Sequence, residues 1–428
     1  MAAPTARTPH GARRDPATVQ DRPMDDVNDF ARVVLVVSGA LSLAIGVRVV
    51  AGRLAVPTAG LLLVAAAAAS DVFDELNRIL TFDDVQRVAT LALVVILFDG
   101  GQKIGLRRFR EAAVPVLALG VVGTFATAAL LALASHVLFD LSWTVSGLIG
   151  AALAPTDPAV TFSVLAGKEV EGRSGTILEG ESGFNDPVGI ALMIGMVELA
   201  TSGDASFRSD VVAEFLVQMS VGLVVGVAGA LAIVGLLRYV PLPDRTLYPI
   251  ALILAAGVVY GTAAVAHGSG FLAVFVAGIL VGDLRYPART AVRTFNSALA
   301  DLGELAAFVA LGLTVQLAFI GDEGLWWRGL VLAMLLGFVI RPLVVVPILA
   351  PMGLSRGEQA FVAWSGLKGA VPILLASLAV VGGADYAPEI YGMVFVVVLF
   401  SVVVQGTLVP TVASRLGVPM APAGADHS

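Results

Sequence analysis

Apolar runs separated by short polar connectors recur along the chain from residue 31 to residue 413. A hydrocarbon core ~30 Å thick is spanned by ~20 helical residues rising 1.5 Å each. Thirteen stretches meet or approach that length: 31–50, 54–70, 86–102, 112–135, 143–166, 175–199, 211–237, 247–266, 270–282, 300–318, 327–349, 358–380 and 389–413. The second, third and ninth are short. The ninth merges with the eighth if His267-Gly268-Ser269-Gly270 stays helical, which lowers the count to twelve. The pattern predicts an all-α integral membrane protein of about thirteen transmembrane helices.

The connectors supply a second, independent signal. With thirteen spans, the odd-numbered loops and the C-terminal tail hold fifteen Lys and Arg, among them Lys103, Arg107, Arg108, Arg289 and Arg293. The even-numbered loops hold only Arg78, Arg87, Arg208 and Arg328, with acids such as Asp71, Asp83 and Glu323 beside them. Basic residues collect on the cytoplasmic side. The expected orientation in the cell (inner or plasma) membrane is N-terminus outside and C-terminus cytoplasmic. Merging spans eight and nine would move Arg285, Arg289 and Arg293 to the acidic side, so the two stay separate. Residues 1–29 are polar, without the apolar core of a signal peptide, and are expected to be a disordered tail. Residues 30–414 form the membrane domain, and 415–428 a short cytoplasmic tail.

Composition agrees and narrows the function. Hydrophobic residues make up 57% of the 428 and charged ones 14%, against ~25% charged in a soluble chain. A net charge of −7 offers no basic footprint for nucleic acid. The absence of cysteine removes disulfide and thiolate chemistry. With four His and no phosphate-binding glycine loop, no cofactor and no enzyme activity are expected.

A charge inside the bilayer costs ~2.5–3.5 kcal/mol, so one that is kept there marks function. The deep charges are Asp99, Asp157, Glu179, Glu181, Asp186, Arg341 and Lys368. The fifth span carries Pro155-Thr156-Asp157-Pro158 near its middle. Its prolines remove backbone donors and free carbonyls that need other partners, a cation among them. In the sixth span, Glu179, Ser182 and Asp186 share one helix stripe, and Glu181 and Asn185 a neighbouring one. Arg341 needs a buried carboxylate partner, and Glu181 is the candidate. Asp99 reads either as a site acid or as an interfacial acid before a turn. Lys368, in Gly366-Leu-Lys368-Gly369-Ala-Val-Pro372, has three readings. It caps a helix C-terminus, pairs with a carboxylate, or snorkels to the inner surface. The fifth and twelfth spans are both interrupted and run in opposite directions. That predicts two inverted six-helix repeats, 31–199 and 247–413, joined by the linker helix 211–237, with crossed interrupted helices at a midplane site.

These residues resemble the NhaP branch of the cation/proton antiporter superfamily. The resemblance rests on Pro155-Thr156-Asp157-Pro158, Glu181-Ser182-x-x-Asn185-Asp186, Arg341-Pro342 and Gly366–Pro372, and spans about 31–413. Leu-Phe-Asp99-Gly-Gly and Gly268–Phe275 look most like its potassium/proton subgroup, which usually carries a cytosolic domain that this sequence stops short of. The resemblance implies a homodimer in the lipid bilayer that exchanges sodium or potassium for protons by alternating access, for pH and cation homeostasis. It implies that Asp186 binds cation and proton in turn, with oxygens from Asp157, Thr156 and Ser182 and with Asn185 beside it. It also implies that Glu181 pairs with Arg341, that Asp99 is the third-helix acid, and that exchange is electroneutral, because Asn185 stands where other members carry a second Asp. Lys368 departs from the family's usual Arg. A passive cation channel or uniporter with the same acid-lined cavity is the alternative, and a non-transporting sensor of the same fold is a third reading.

Overall fold

The computed structural model describes residues 22–54, 57–73, 81–157, 160, 168–170, 172–202, 207–240, 242–286 and 288–422. Pro158 and residues 1–21 of the expected tail therefore lie outside the described residues. The chain divides into two compact units, Met1–Leu43 and Ala44–Ser428. The site lies entirely within the second.

Among the described residues, each of the thirteen apolar stretches contains helix. Helix α1 (Arg22–Leu54) begins ahead of residue 30, within the segment assigned to the tail. It is followed by α2 (Thr58–Val72) and α3 (Phe82–Leu117). A π-turn, Ala118–Gly123, joins α3 to α4 (Thr124–Phe139). A straight helix over these 58 residues would measure ~87 Å at 1.5 Å per residue, nearly three bilayer cores. Gly105 breaks it, with φ 68 and ψ 164. That left-handed φ suits glycine, and an added Cβ would strike the Asp283 carboxylate. Asp283 fills the break by accepting the Arg107 N–H at 2.7 Å. Spans three and four are thus separated by a one-residue interruption.

The next elements are α5 (Trp143–Leu153), a short strand β1 (Lys168–Val170), α6 (Arg173–Ser202), α7 (Phe207–Tyr239) and α8 (Leu247–Val265). His267, at φ 59, ends the eighth span. Ser269 then caps α9 (Gly270–Gly282) through the Leu272 N–H at 3.2 Å, so spans eight and nine stay distinct. The glycines at 222 and 226 of α7 face the backbone of Ser269 and Ala273. That small-residue motif therefore packs on α9 of its own chain.

The remainder is α10 (Arg289–Leu313), α11 (Leu317–Asp322), α12 (Leu325–Leu335), α13 (Arg341–Leu349), α14 (Arg356–Trp364), α15 (Ala370–Val381), α16 (Ala387–Phe400), α17 (Thr407–Arg415) and β2 (Met420–Pro422). π-Turns Leu336–Ile340 and Ser401–Gly406 join α12 to α13 and α16 to α17. Among the described residues the architecture is all-helical apart from the antiparallel pair β1–β2, in which Lys168 faces Pro422 and Val170 faces Met420. The pairing brings the connector after the fifth stretch and the C-terminal segment together at one end of the helices.

Among the described residues, seven helices are individually long and apolar enough to cross a membrane. The count is below thirteen because α3 and α4 run as one helix and because some spans are short or broken. In the fifth span helix α5 ends at Leu153, and the twelfth is divided between α14 and α15.

Candidate functional site

The two interrupted spans cross at their unwound centres. Past α5 the backbone leaves the helix at Ala154–Asp157, and between α14 and α15 it does so at Ser365–Gly369. The Asp157 N–H donates to the Leu367 carbonyl at 2.8 Å, which ties one break to the other. Unwinding orphans carbonyls at each helix end, and lipid supplies them no donor. Lys368 meets this need: its Nζ donates to Ala154 O at 2.9 Å and Pro155 O at 2.7 Å. At 1% exposure it is fully buried, so the helix-capping reading describes its geometry and the snorkelling one does not. Its backbone N–H donates to Ser401 Oγ at 2.9 Å. Gln405 Nε2 donates to Trp364 O at 2.9 Å, which satisfies the end of α14. Gly369 abuts the Asp157 carboxylate so closely that a Cβ there would collide with it.

Helix α6 holds the first break in place. Ser182 Oγ donates to Thr156 O at 2.5 Å. Asn185 accepts the Thr156 N–H at 3.3 Å through Oδ1, and its Nδ2 donates to Thr156 Oγ1 at 2.8 Å. All three polar groups of Thr156 are engaged. On the neighbouring stripe, Glu181 accepts two hydrogen bonds from Arg341, at 2.5 and 3.2 Å. Both side chains are at most 3% exposed. The Arg341–Glu181 pairing expected from buried charge is present in forked geometry. Gly366 gives the guanidinium its room, since a Cβ there would meet it.

A cavity of ≈ 160 Å³, large enough for several waters, opens beside this crossing. Glu179, Ser182 and Asp186 of α6 line it, as their shared stripe predicts, and Asp157 joins them. Thr156, Asn185, Glu181, Arg341 and Lys368 support these groups from behind and do not line the cavity. Asp186 is 3% exposed, and its Oδ1 has no hydrogen-bond partner among the described residues. A buried carboxylate oxygen left without a partner costs on the order of 1–3 kcal/mol.

The opposite wall comes from α3 and α10. Asp99 accepts from Ser297 Oγ at 3.1 Å and pairs with Lys103 at 2.7 Å. Asp99 itself is 3% exposed. Asp301 pairs with Arg48 at 2.9 Å at the mouth, where both are about half exposed. Of the cavity's lining side chains, Lys103 and Asp301 are the exposed ones of these pairs. At its other end Ala89, Leu93 and Leu374 form an apolar floor, backed by a Gln86–Ser377 hydrogen bond of 3.3 Å. Sequence reasoning missed Asp301, Glu304, Ser401 and Gln405. The first two, three apart and so on one face of α10, carried the clearer signal.

Comparison with known proteins follows the same outline. The family model for the transmembrane sodium/hydrogen exchanger matches residues 39–415. A K(+)/H(+) antiporter NhaP2 of Shewanella sp. (strain ANA-3) is 31% identical over 405 residues, covering 93% of this chain and 69% of its own. A K(+)/H(+) antiporter NhaP of Alkalimonas amylolytica is 34% identical over 342 residues, 79% of this chain and 59% of the relative. A Na(+)/H(+) antiporter NhaH of Halobacillus aidingensis is 28% identical over 343 residues, 77% of this chain and 83% of the relative. The solved structure of the sodium proton antiporter MjNhaP1 of Methanocaldococcus jannaschii superposes with a TM-score of 0.75 at 22% identity. The superposition covers 88% of this chain and 99% of that one.

Proposed function

The chain belongs to the sodium/hydrogen exchanger family, and from that premise we propose that it exchanges a monovalent cation, sodium or potassium, for protons at Asp186. One observation carries the reading: Asp186 sits at the crossing of two broken helices, facing the cavity, with one buried oxygen unpartnered. A cation needs this carboxylate ionised, whereas a proton neutralises it. The two cannot occupy it together, so competition for one group couples their fluxes. Asp157 and Ser182 add oxygens at the same wall. Thr156 and Asn185 fix the bend that presents Asp157. Lys368, Glu181 and Arg341 stabilise the crossing, and Asp99 and Glu179 shape the approach. Asn185 brings no second negative charge, which favours electroneutral exchange of one cation for one proton.

The cavity is open on the side of the basic loops and closed on the other by its apolar floor, an arrangement fitting one end state of alternating access. The positive-inside bias makes the open side cytoplasmic, with the N-terminus outside and the C-terminus inside. The inverted repeats 31–199 and 247–413 flank linker helix 211–237, and the protein acts as a homodimer in the cell membrane.

The test is cation-dependent proton flux in proteoliposomes with a pH-sensitive dye, comparing lithium, sodium, potassium and rubidium. Asp186→Asn should abolish exchange while the protein stays folded in the membrane. Full exchange by that variant would overturn the assignment, and cation current without proton movement would indicate a channel.

A further inference from the structure

The mechanism above leaves two cavity carboxylates, Asp301 and Glu304, unused. Glu304, on α10, lines the same cavity as Asp186 from the opposite wall, one turn deeper than Asp301. The other acids of the approach are engaged. Asp99 has Lys103 and Ser297, Asp301 has Arg48, and Glu179 lies 4.0 Å from Arg108. Glu304 forms no hydrogen bond or ion pair with any described residue. Glu304 shares the cavity lining with Asp301 and Lys103 on one side and with Asp157 and Asp186 on the other. Its place on the facing helix keeps it out of the set formed by Asp157, Ser182 and Asp186.

We propose that Glu304 is a staging carboxylate that draws the monovalent cation into the cavity and presents it to Asp157 and Asp186. A cleft of one charge sign with low-dielectric walls concentrates counter-ions before they reach their ligands. Acids neutralised by a partner at the mouth cannot do this, and the unpaired Glu304 can in its ionised form. The proposal rests on the exchange reading above. It assigns Glu304 to capture and not to the proton–cation competition itself.

The experiment measures cation-dependent proton flux for wild type, Glu304→Gln and Glu304→Asp in proteoliposomes, with sodium and potassium varied at fixed pH. Glu304→Gln should raise the apparent KM roughly tenfold, within the range expected for such focusing, and leave the maximal rate within about twofold. Raising ionic strength with an impermeant salt should shrink the difference between the two, and Glu304→Asp should restore the wild-type KM. An unchanged KM, or a lost maximal rate at unchanged KM, overturns the proposal. If Glu304→Gln does not assemble, the wild-type KM decides: insensitivity to ionic strength overturns the proposal, and a rise with ionic strength supports it. Wild type without any exchange would sink the transport reading instead, so the two failures are distinguishable.

Discussion

Lys368 and Pro155 are joined across the helix crossing by a 2.7 Å hydrogen bond from ammonium to carbonyl. One side chain thereby does at a helix break what water does at a soluble helix end. Lys368→Met keeps the volume and removes the donor, leaving two buried carbonyls unsatisfied at on the order of 1–3 kcal/mol each. The variant should show a clearly lower thermal midpoint in detergent and slower exchange. An unshifted midpoint would mean that the carbonyls find other partners.

The fork between Arg341 and Glu181 is a buried pair, so losing one member strands the other. Arg341→Met or Glu181→Gln alone should cost ~3–5 kcal/mol. The double variant should cost less than the sum. Thermal melts of all four forms make the cycle, and strictly additive losses would show that the two residues are uncoupled.

At Gly369 the missing Cβ is what leaves room for the Asp157 carboxylate. Gly369→Ala should push that carboxylate off its position and lower the exchange rate by roughly tenfold or more, since ~1 Å of misplacement costs that much elsewhere. Cation KM should rise too. Gly235→Ala, where no atom lies within 4 Å of the added Cβ, serves as the control and should behave as wild type.

The chain contains no cysteine, so single cysteines report sidedness without background. Ser414 and Glu323 are both exposed. In right-side-out vesicles an impermeant maleimide should label Glu323→Cys and spare Ser414→Cys, with the reverse in inverted vesicles. Labelling of Ser414→Cys from outside would reverse the proposed orientation.

What the sequence revealed followed the cost of each feature in lipid. Arg341 and Glu181 were legible as partners because a buried charge must be neutralised. The two broken spans were legible because proline and glycine interrupt apolar runs. Lys368 was harder: its charge was visible, but its partners are backbone carbonyls, which every residue carries. Ser401 and Gln405 went unnoticed because neutral polar side chains cost little in a helix and leave no strong mark. Glu304 was hidden by its place near the start of span ten, where an acid passes for a loop residue. Gly105 shows a further limit, since the break it makes depends on Asp283, distant in sequence and placed beside it only by folding.

The three π-turns carry a consequence of a different kind. Gly120 lies in the first and packs on Phe184 beside Asn185, the second ends where Arg341 begins, and the third contains Ser401 and Gln405. Each turn inserts one residue into the helical rhythm, a phase step of ~100°. The faces on either side are therefore set by count as well as by residue type. A single-residue deletion inside Leu336–Ile340 would leave every charge in the chain and still turn Arg341 away from Glu181. At these three places the protein should tolerate many changes of letter and almost no change of number.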